Sequence, residues 1–305
     1  MTKCPPETGA FFIMKYGVIC TSQTRNIGDD IQSLAAIYFL RKNGITDYVC
    51  VEREELNSYS GEPLALITNG WFLHKFQNFP PSGKIKPLFI GFYSHYPSLI
   101  EKHREYFKKH EPIGCRSAST LLACQEHGIE AYLSGCLTLG FDEVSHKEPH
   151  VCVVDAHYGT EFSKFCDALN GYAKTMGRSV IYTTHDRNIV GLPYAKRLDI
   201  AQSFMHLYGR SSLVVTGRLH CALPCRALNT SVKFVHPDLY DDPRFKGLED
   251  IIGGNTPDDS WKELIKNIKK PDPAYFYSID ETITESVENK KISLGKSFRE
   301  LLDRA

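Results

Sequence analysis

Arg218 and His220 are separated by one residue, and their types make them the first place to look for chemistry. Arginine is a permanent cation with a forked set of donors, and histidine changes charge near neutral pH. They follow a short β-branched run, Leu213-Val214-Val215, which predicts a buried strand. Thr216-Gly217 ends that run, and a helical pattern from Cys221 to Leu228-Asn229 follows. Pro224 fits only the first turn of a helix, where a missing N–H loses no partner, so the helix begins no earlier than about Leu219. Arg218 and His220 then occupy a strand-to-helix turn beside a helix N-terminus, whose unpaired N–H groups and dipole attract anions. That combination predicts a site for a phosphate or a carboxylate. The competing reading is structural, with Arg218 paired to a surface carboxylate and His220 a capping or core side chain. Position favours function, because ligands in open α/β sheets bind beyond the carboxyl ends of strands.

The same arrangement recurs. Arg116 follows a brief strand, Pro112–Cys115, and precedes a helix capped by Ser117 and closed at Gly128. Two such arginines, in two halves of the chain, can face each other across a cleft. Asn26-Ile27-Gly28-Asp29 joins a first strand, Tyr16–Thr21, to a helix over Asp29–Lys42 that Asn43-Gly44 stops. Gly28 would allow close backbone approach there, and Asp29 would cap the helix or serve the site. Asn69-Gly70-Trp71-Phe72 follows the strand Leu64–Thr68, so Trp71 is placed either to stack on a sugar or to fill the core. His185 follows the strand Val180–Thr183, while Arg244 and Lys246 lie in a Pro-interrupted loop after the strand Ser231–Val235.

These residues need a frame, and the rest of the chain predicts one. Further strands are expected at Tyr48–Val51, Leu88–Phe92, Ile129–Leu139 and Val151–Val154, with helices at Pro97–His110, Thr160–Met176 and Arg197–Tyr208. Strand and helix alternate in both halves, which predicts an α/β chain with parallel sheets covered by helices on both faces. The polar, aperiodic segment Phe141–Pro149 reads as an interdomain linker. The expected division is residues 14–141, residues 149–270, and a tail, 271–305, with a packing helix at Ser293–Asp303.

Composition excludes several classes. The 305 residues carry 36 basic and 36 acidic side chains, so no bulk charge draws the chain to nucleic acid or an anionic membrane. No apolar run reaches the ~18 residues of a spanning helix, and Phe11–Met14 lacks a signal-peptide layout. The ten cysteines form no C-x-x-C pair, as expected for reduced thiols in a cytoplasmic protein. No metal is expected; a zinc site from His220, Cys221 and Cys225 lacks a second ligand pair.

Taken in order, these motifs resemble the polysaccharide pyruvyl transferases. The resemblance rests on N-x-G-D at Asn26–Asp29, G-C-R-S at Gly114–Ser117 and R-L-H at Arg218–His220. NGWF at Asn69–Phe72, SGCLTL at Ser134–Leu139, GRLHCALPC at Gly217–Cys225 and RFKGL at Arg244–Leu248 resemble one branch of that family, over residues 16–250. The resemblance implies two Rossmann-like domains facing a cleft, as in GT-B glycosyltransferases. It also implies transfer of a pyruvyl group from phosphoenolpyruvate to a sugar or oligosaccharide acceptor as a ketal, without a cofactor. Ser134-Gly135-Cys136 departs from the Asp-Pro-type pair that many members carry.

Under that resemblance His220, Arg218 and Asp29 are the expected catalytic residues. Arg116, Asn26, Gly28, Ser117, His185, Arg244 and Lys246 are expected to bind substrate. A donor bearing both a carboxylate and a phosphate needs cations and helix N-termini around it, which agrees with the residue-level reading. Two other functions share the frame: a GT-B glycosyltransferase using a nucleotide sugar, and a non-catalytic sugar-binding protein.

Overall fold

The computed structural model describes residues 14–72, 74–253, 257–269 and 281–305. Two parallel sheets form its frame. The first contains β1 (Lys15–Cys20), β2 (Val49–Glu52), β3 (Leu64–Trp71), β4 (Ile85–Tyr93), β5 (Ile113–Cys115) and β6 (Ala131–Leu133), ordered β2-β1-β3-β4-β5-β6. The second contains β7 (Glu148–Val154), β8 (Ser179–Thr183), β9 (Ser211–Thr216) and β10 (Val232–Phe234), ordered β10-β9-β7-β8. Every strand pair is parallel. β9, SSLVVT, is buried along its whole length, as expected for a strand covered on both faces.

Helices α1 (Ile27–Lys42), α2 (Pro97–Lys102), α3 (Arg104–Lys109) and α4 (Ala118–Glu126) belong to the first half. Helices α5 (Phe162–Thr175), α6 (Tyr194–Arg210), α7 (Leu219–Ala227), α8 (Glu249–Ile252) and α9 (Pro257–Lys269) belong to the second, and α10 (Glu281–Asp303) follows. No described helix is long and apolar enough to cross a membrane.

One apolar core runs through both halves. It joins Val18 of β1 and Ile31, Ala35 and Phe39 of α1 to Tyr208 of α6, Val214 of β9 and Leu223 of α7. Phe298 of α10 stacks on Phe39 with centroids 5.0 Å apart, so the last helix packs on the first. A buried ion pair crosses the same seam: Arg197 of α6 holds Asp30 of α1 with Nε–Oδ1 at 2.9 Å and Nη2–Oδ2 at 2.8 Å.

Several sequence-based boundaries move. Helix α1 starts at Ile27, so its cap is Asn26, whose Oδ1 accepts from the Gly28 N–H at 3.1 Å; Asp29 lies in the first turn instead. Asn69 to Trp71 belong to β3, whose register shifts between Thr68 and Gly70. The helix expected over Pro97–His110 breaks at His103, and the strand expected over Ile129–Leu139 is short, giving way to a 3₁₀ turn at Leu137–Gly140. Pro224 lies deeper in α7 than a first turn, but the backbone at His220 is non-helical, so the regular helix starts after it. Residues 270–280, where one expected domain ends and the tail begins, and most of Phe11–Met14 lie outside the described residues.

Candidate active site

The strand orders place the switch points between β1 and β3 in one sheet and between β7 and β9 in the other. Ligand crevices form beyond such points because neighbouring loops turn away to opposite faces. The loops or residues ending those four strands carry Asn26–Asp29, Trp71, Tyr158 and Arg218, and all of these but Ile27 and Gly28 line a single pocket of about 360 Å³. Arg53, His74, Arg116, His185, His220, His236 and Arg244 also line it. Four arginines face it against one lining carboxylate, Asp29.

Backbone bonds stitch the two halves around this pocket. The Ile27 N–H donates to His185 O at 3.0 Å and the Arg187 N–H to Arg25 O at 2.8 Å, with an isolated antiparallel bridge between Asn26 and Asp186. Gly28 fits because it has no side chain. A Cβ there would lie 3.1–3.2 Å from Asn26 Oδ1, His185 Nδ1 and His220 Cβ.

Arg116 is 1% exposed, its guanidinium 4.3 Å from the Tyr93 ring centroid. One terminal nitrogen lies 3.4 Å from Gln32 Oε1 and 3.4 Å from His220 Nε2, and Nε is buried without a hydrogen-bond partner. No carboxylate of the described residues comes within ion-pair distance of it. Gly70, at φ +82°, makes room for this arrangement, since a Cβ there would sit 2.5 Å from Gln32 Oε1.

Guanidinium nitrogens only donate, so the contact with Arg116 makes His220 Nε2 an acceptor and the ring neutral. Its pKa is held well below the ordinary histidine value, first by burial and then by Arg116, His185 and Arg244. Arg218 differs: it is partly exposed, and its Nε donates to Asp155 Oδ2 at 2.7 Å. Its two terminal nitrogens have no hydrogen-bond partner among the described residues. Burial acts to raise the Asp155 pKa, but bonds from the Thr184 hydroxyl, the His185 N–H and Arg218 outweigh it and hold the carboxyl below the usual range. Arg244 is held by Asp242, with Nε–Oδ2 at 2.8 Å. Arg53 is shared between Glu54 at 2.9 Å and Asp29 at 3.8 Å.

Of the residues singled out by sequence, Asn26, Asp29, Trp71, Arg116, His185, Arg218, His220 and Arg244 meet at the pocket. Three do not line it. Gly28 packs behind it, and Ser117 caps α4 by accepting from the Thr120 N–H at 3.3 Å. The Lys246 side chain turns out to Tyr240 O, while its carbonyl accepts from the Ala118 N–H at 2.8 Å. Ser134 is also structural: its Oγ accepts from the Gly91 N–H at 2.9 Å and bonds Cys115 O at 3.0 Å. Sequence reasoning missed Arg53, His74, Tyr158 and His236. Tyr158 had one signal: Gly217, where a Cβ would stand 2.3 Å from Tyr158 Cε2, is the glycine on which that ring rests. Among the described residues no group of three or more His, Cys, Asp or Glu side chains is placed to hold a metal ion.

A family model described as polysaccharide pyruvyl transferase matches residues 26–232. No curated protein matches the chain. Among solved structures, a functionally uncharacterized protein from Klebsiella pneumoniae subsp. pneumoniae is 14% identical, with a TM-score of 0.47 over 76% of this chain and 87% of that one. The UDP-GlcNAc 2-epimerase of Methanocaldococcus jannaschii, in complex with UDP-GlcNAc and UDP, is 11% identical, with a TM-score of 0.43 over 90% and 99%. Likenesses this distant carry nothing about chemistry.

Proposed function

The chain belongs to the polysaccharide pyruvyl transferase family, whose model covers residues 26–232, and we propose that it moves a pyruvyl group from phosphoenolpyruvate to a pair of sugar hydroxyls as a ketal. The two sheets are, in this reading, two Rossmann-like domains that meet near residues 141–149, with the pocket as their cleft. The observation that carries the proposal is Arg116, a guanidinium 1% exposed, with no carboxylate in ion-pair distance among the described residues and one terminal nitrogen against His220. A buried cation without a counter-charge is unfavourable, and a bound anion relieves it. Phosphoenolpyruvate brings two anionic groups, and Arg218 and Arg244 line the same pocket with Arg116 to receive them.

Proton bookkeeping suits a neutral histidine. Two acceptor hydroxyls each lose a proton; the donor's methylene carbon gains one and the departing phosphate gains the other. The new C–O bonds form at the carbon that loses phosphate. His220 starts unprotonated at Nε2, its lone pair only loosely engaged by Arg116 at 3.4 Å, so it takes a hydroxyl proton first and gives it up afterwards. Burial and then the positive field keep His220 neutral, and anion binding beside Arg116 offsets the second of these, which raises its proton affinity at that step. Asp29 and Asn26 stand on the first-sheet side with Trp71, where an acceptor sugar has a carboxylate, an amide and an aromatic wall to meet.

Calorimetric titration with phosphoenolpyruvate tests the proposal. Wild type should bind, and Arg116→Gln should bind at least tenfold more weakly, since a charged contact left unpaired typically costs ~2–5 kcal/mol. A wild type that ignores phosphoenolpyruvate but is stabilised by a UDP-sugar in a thermal-shift assay would replace this reading with the nucleotide-sugar glycosyltransferase.

A further inference from the structure

We propose that His236 is a further phosphoenolpyruvate-binding residue, an uncharged N–H that hydrogen-bonds an anionic oxygen of the ligand between Arg218 and Arg244. This deepens the phosphoenolpyruvate reading above and rests on it. The Asp238 backbone N–H donates to His236 Nδ1 at 3.1 Å. A backbone N–H can only donate, so Nδ1 is bare and the ring proton sits on Nε2. That fixes the tautomer from outside the pocket.

The ring is also fixed in place. Phe245 meets it edge-on at 5.0 Å, Phe234 lies nearly parallel at 6.1 Å and Tyr158 tilts against it at 5.2 Å. His236 is 8% exposed and lines the pocket, yet Nε2 has no hydrogen-bond partner among the described residues. That donor opens onto the pocket, so an anionic oxygen bound there can accept from it in place of water.

The electrostatics support an uncharged role. Burial first, then Arg244, lowers the His236 pKa, against the smaller opposing pull of Asp238 and Asp242. Arg218 acts in the same direction as Arg244. A third positive charge beside two arginines would add repulsion in the empty pocket. A neutral N–H adds a directed bond without that repulsion, and its proton is not lost when product leaves.

Three proteins test this: wild type, His236→Phe and His236→Gln. Phenylalanine keeps the aromatic packing and removes the donor; glutamine places an amide N–H near the position of Nε2. By calorimetry, His236→Phe should bind phosphoenolpyruvate about tenfold to a hundredfold more weakly, and His236→Gln within about threefold of wild type. The phenylalanine variant should melt at least as high as the glutamine variant, so an affinity order opposite to the stability order is what a purely structural histidine would not give. Should His236→Phe fail to fold, His236→Met removes the donor with a flexible chain of similar volume. If wild type binds and the folded variant lacking the donor binds equally well, the inference is wrong while the donor assignment stands. If wild type does not bind, the donor assignment itself is lost.

Discussion

His220 and Arg116 form one unit, in which the charge of the imidazole depends on the guanidinium beside it. Their side chains approach to 3.4 Å, so the arginine adds to burial in keeping the imidazole neutral, while the histidine does not replace a counter-ion. Binding an anion at Arg116 should therefore raise the His220 pKa and draw in protons. The sign follows from linkage: a group whose pKa rises on binding makes affinity stronger as pH falls through the bound-state pKa, and contributes nothing well above it. Proton uptake can be read by repeating the phosphoenolpyruvate titration in buffers of different ionisation enthalpy. Wild type should take up more protons than His220→Gln between the free and bound pKa values, because the donor's own phosphate titrates identically in both. The same variant should keep most of its affinity while turnover falls by roughly 10²–10⁴, the range for losing a general acid–base group. Equal proton uptake by the two proteins, with near wild-type turnover, would remove His220 from the chemistry.

At the scale of elements, the site depends on backbone clearance where strands turn into helices. A Cβ at Gly217 would meet Tyr158 Cε2 at 2.3 Å and the carbonyl oxygens of Asp155 and Val235 at 2.8 and 2.9 Å. Two of those three atoms are backbone and cannot swing aside. Gly217→Ala should therefore destabilise the fold by roughly 1–3 kcal/mol, the usual range for forced overpacking. Gly28→Ala meets softer neighbours at 3.1–3.2 Å, the Asn26 cap, His185 and His220, so it should cost little stability but reduce turnover by displacing them. Urea melts and a steady-state assay on both variants check this ordering, and a Gly28 variant of full activity would contradict it. These junctions were also the legible part of the sequence. Apolar strand, glycine, helix period and proline put Arg116, Arg218 and His220 on turns, because each signal is local. What local signals could not give is how distant segments meet. Arg53 reaches the pocket only because β2 pairs with β1, and His236 because β10 pairs with β9. Lys246 was misplaced for the same reason: its carbonyl, not its amine, answers the N-terminus of α4 across the pocket. The cap at Asn26 was missed by three residues because Asn26 and Asp29 are both good capping types.

The molecule as a whole raises the question of whether its two sheets unfold separately. Continuous apolar packing from β1 and α1 through α6, α7 and α10 argues that they do not, because neither half can open without exposing part of that core. The pair of Asp30 and Arg197 acts in the same sense, as do the Ile27–His185 and Ala118–Lys246 backbone bonds. The sequence supplies its own reporters, since it has only two tryptophans. Trp71 ends β3 in the first sheet, and Trp261 lies on α9 against Phe165 of α5, beside the second. In Trp261→Phe, fluorescence follows the first half alone; in Trp71→Phe, it follows the second. Within each variant, the urea midpoint by fluorescence should coincide with the midpoint by far-UV circular dichroism, whatever the substitution itself costs. Adding Asp30→Ala should lower both fluorescence midpoints together, since stripping one partner from a buried pair typically removes 3–5 kcal/mol. Phosphoenolpyruvate should raise both together, because a ligand held by residues of both halves is bound only while both are folded. A fluorescence transition from either tryptophan that runs ahead of the dichroism would mean the halves open independently. The pocket would then be assembled by ligand rather than present before it arrives.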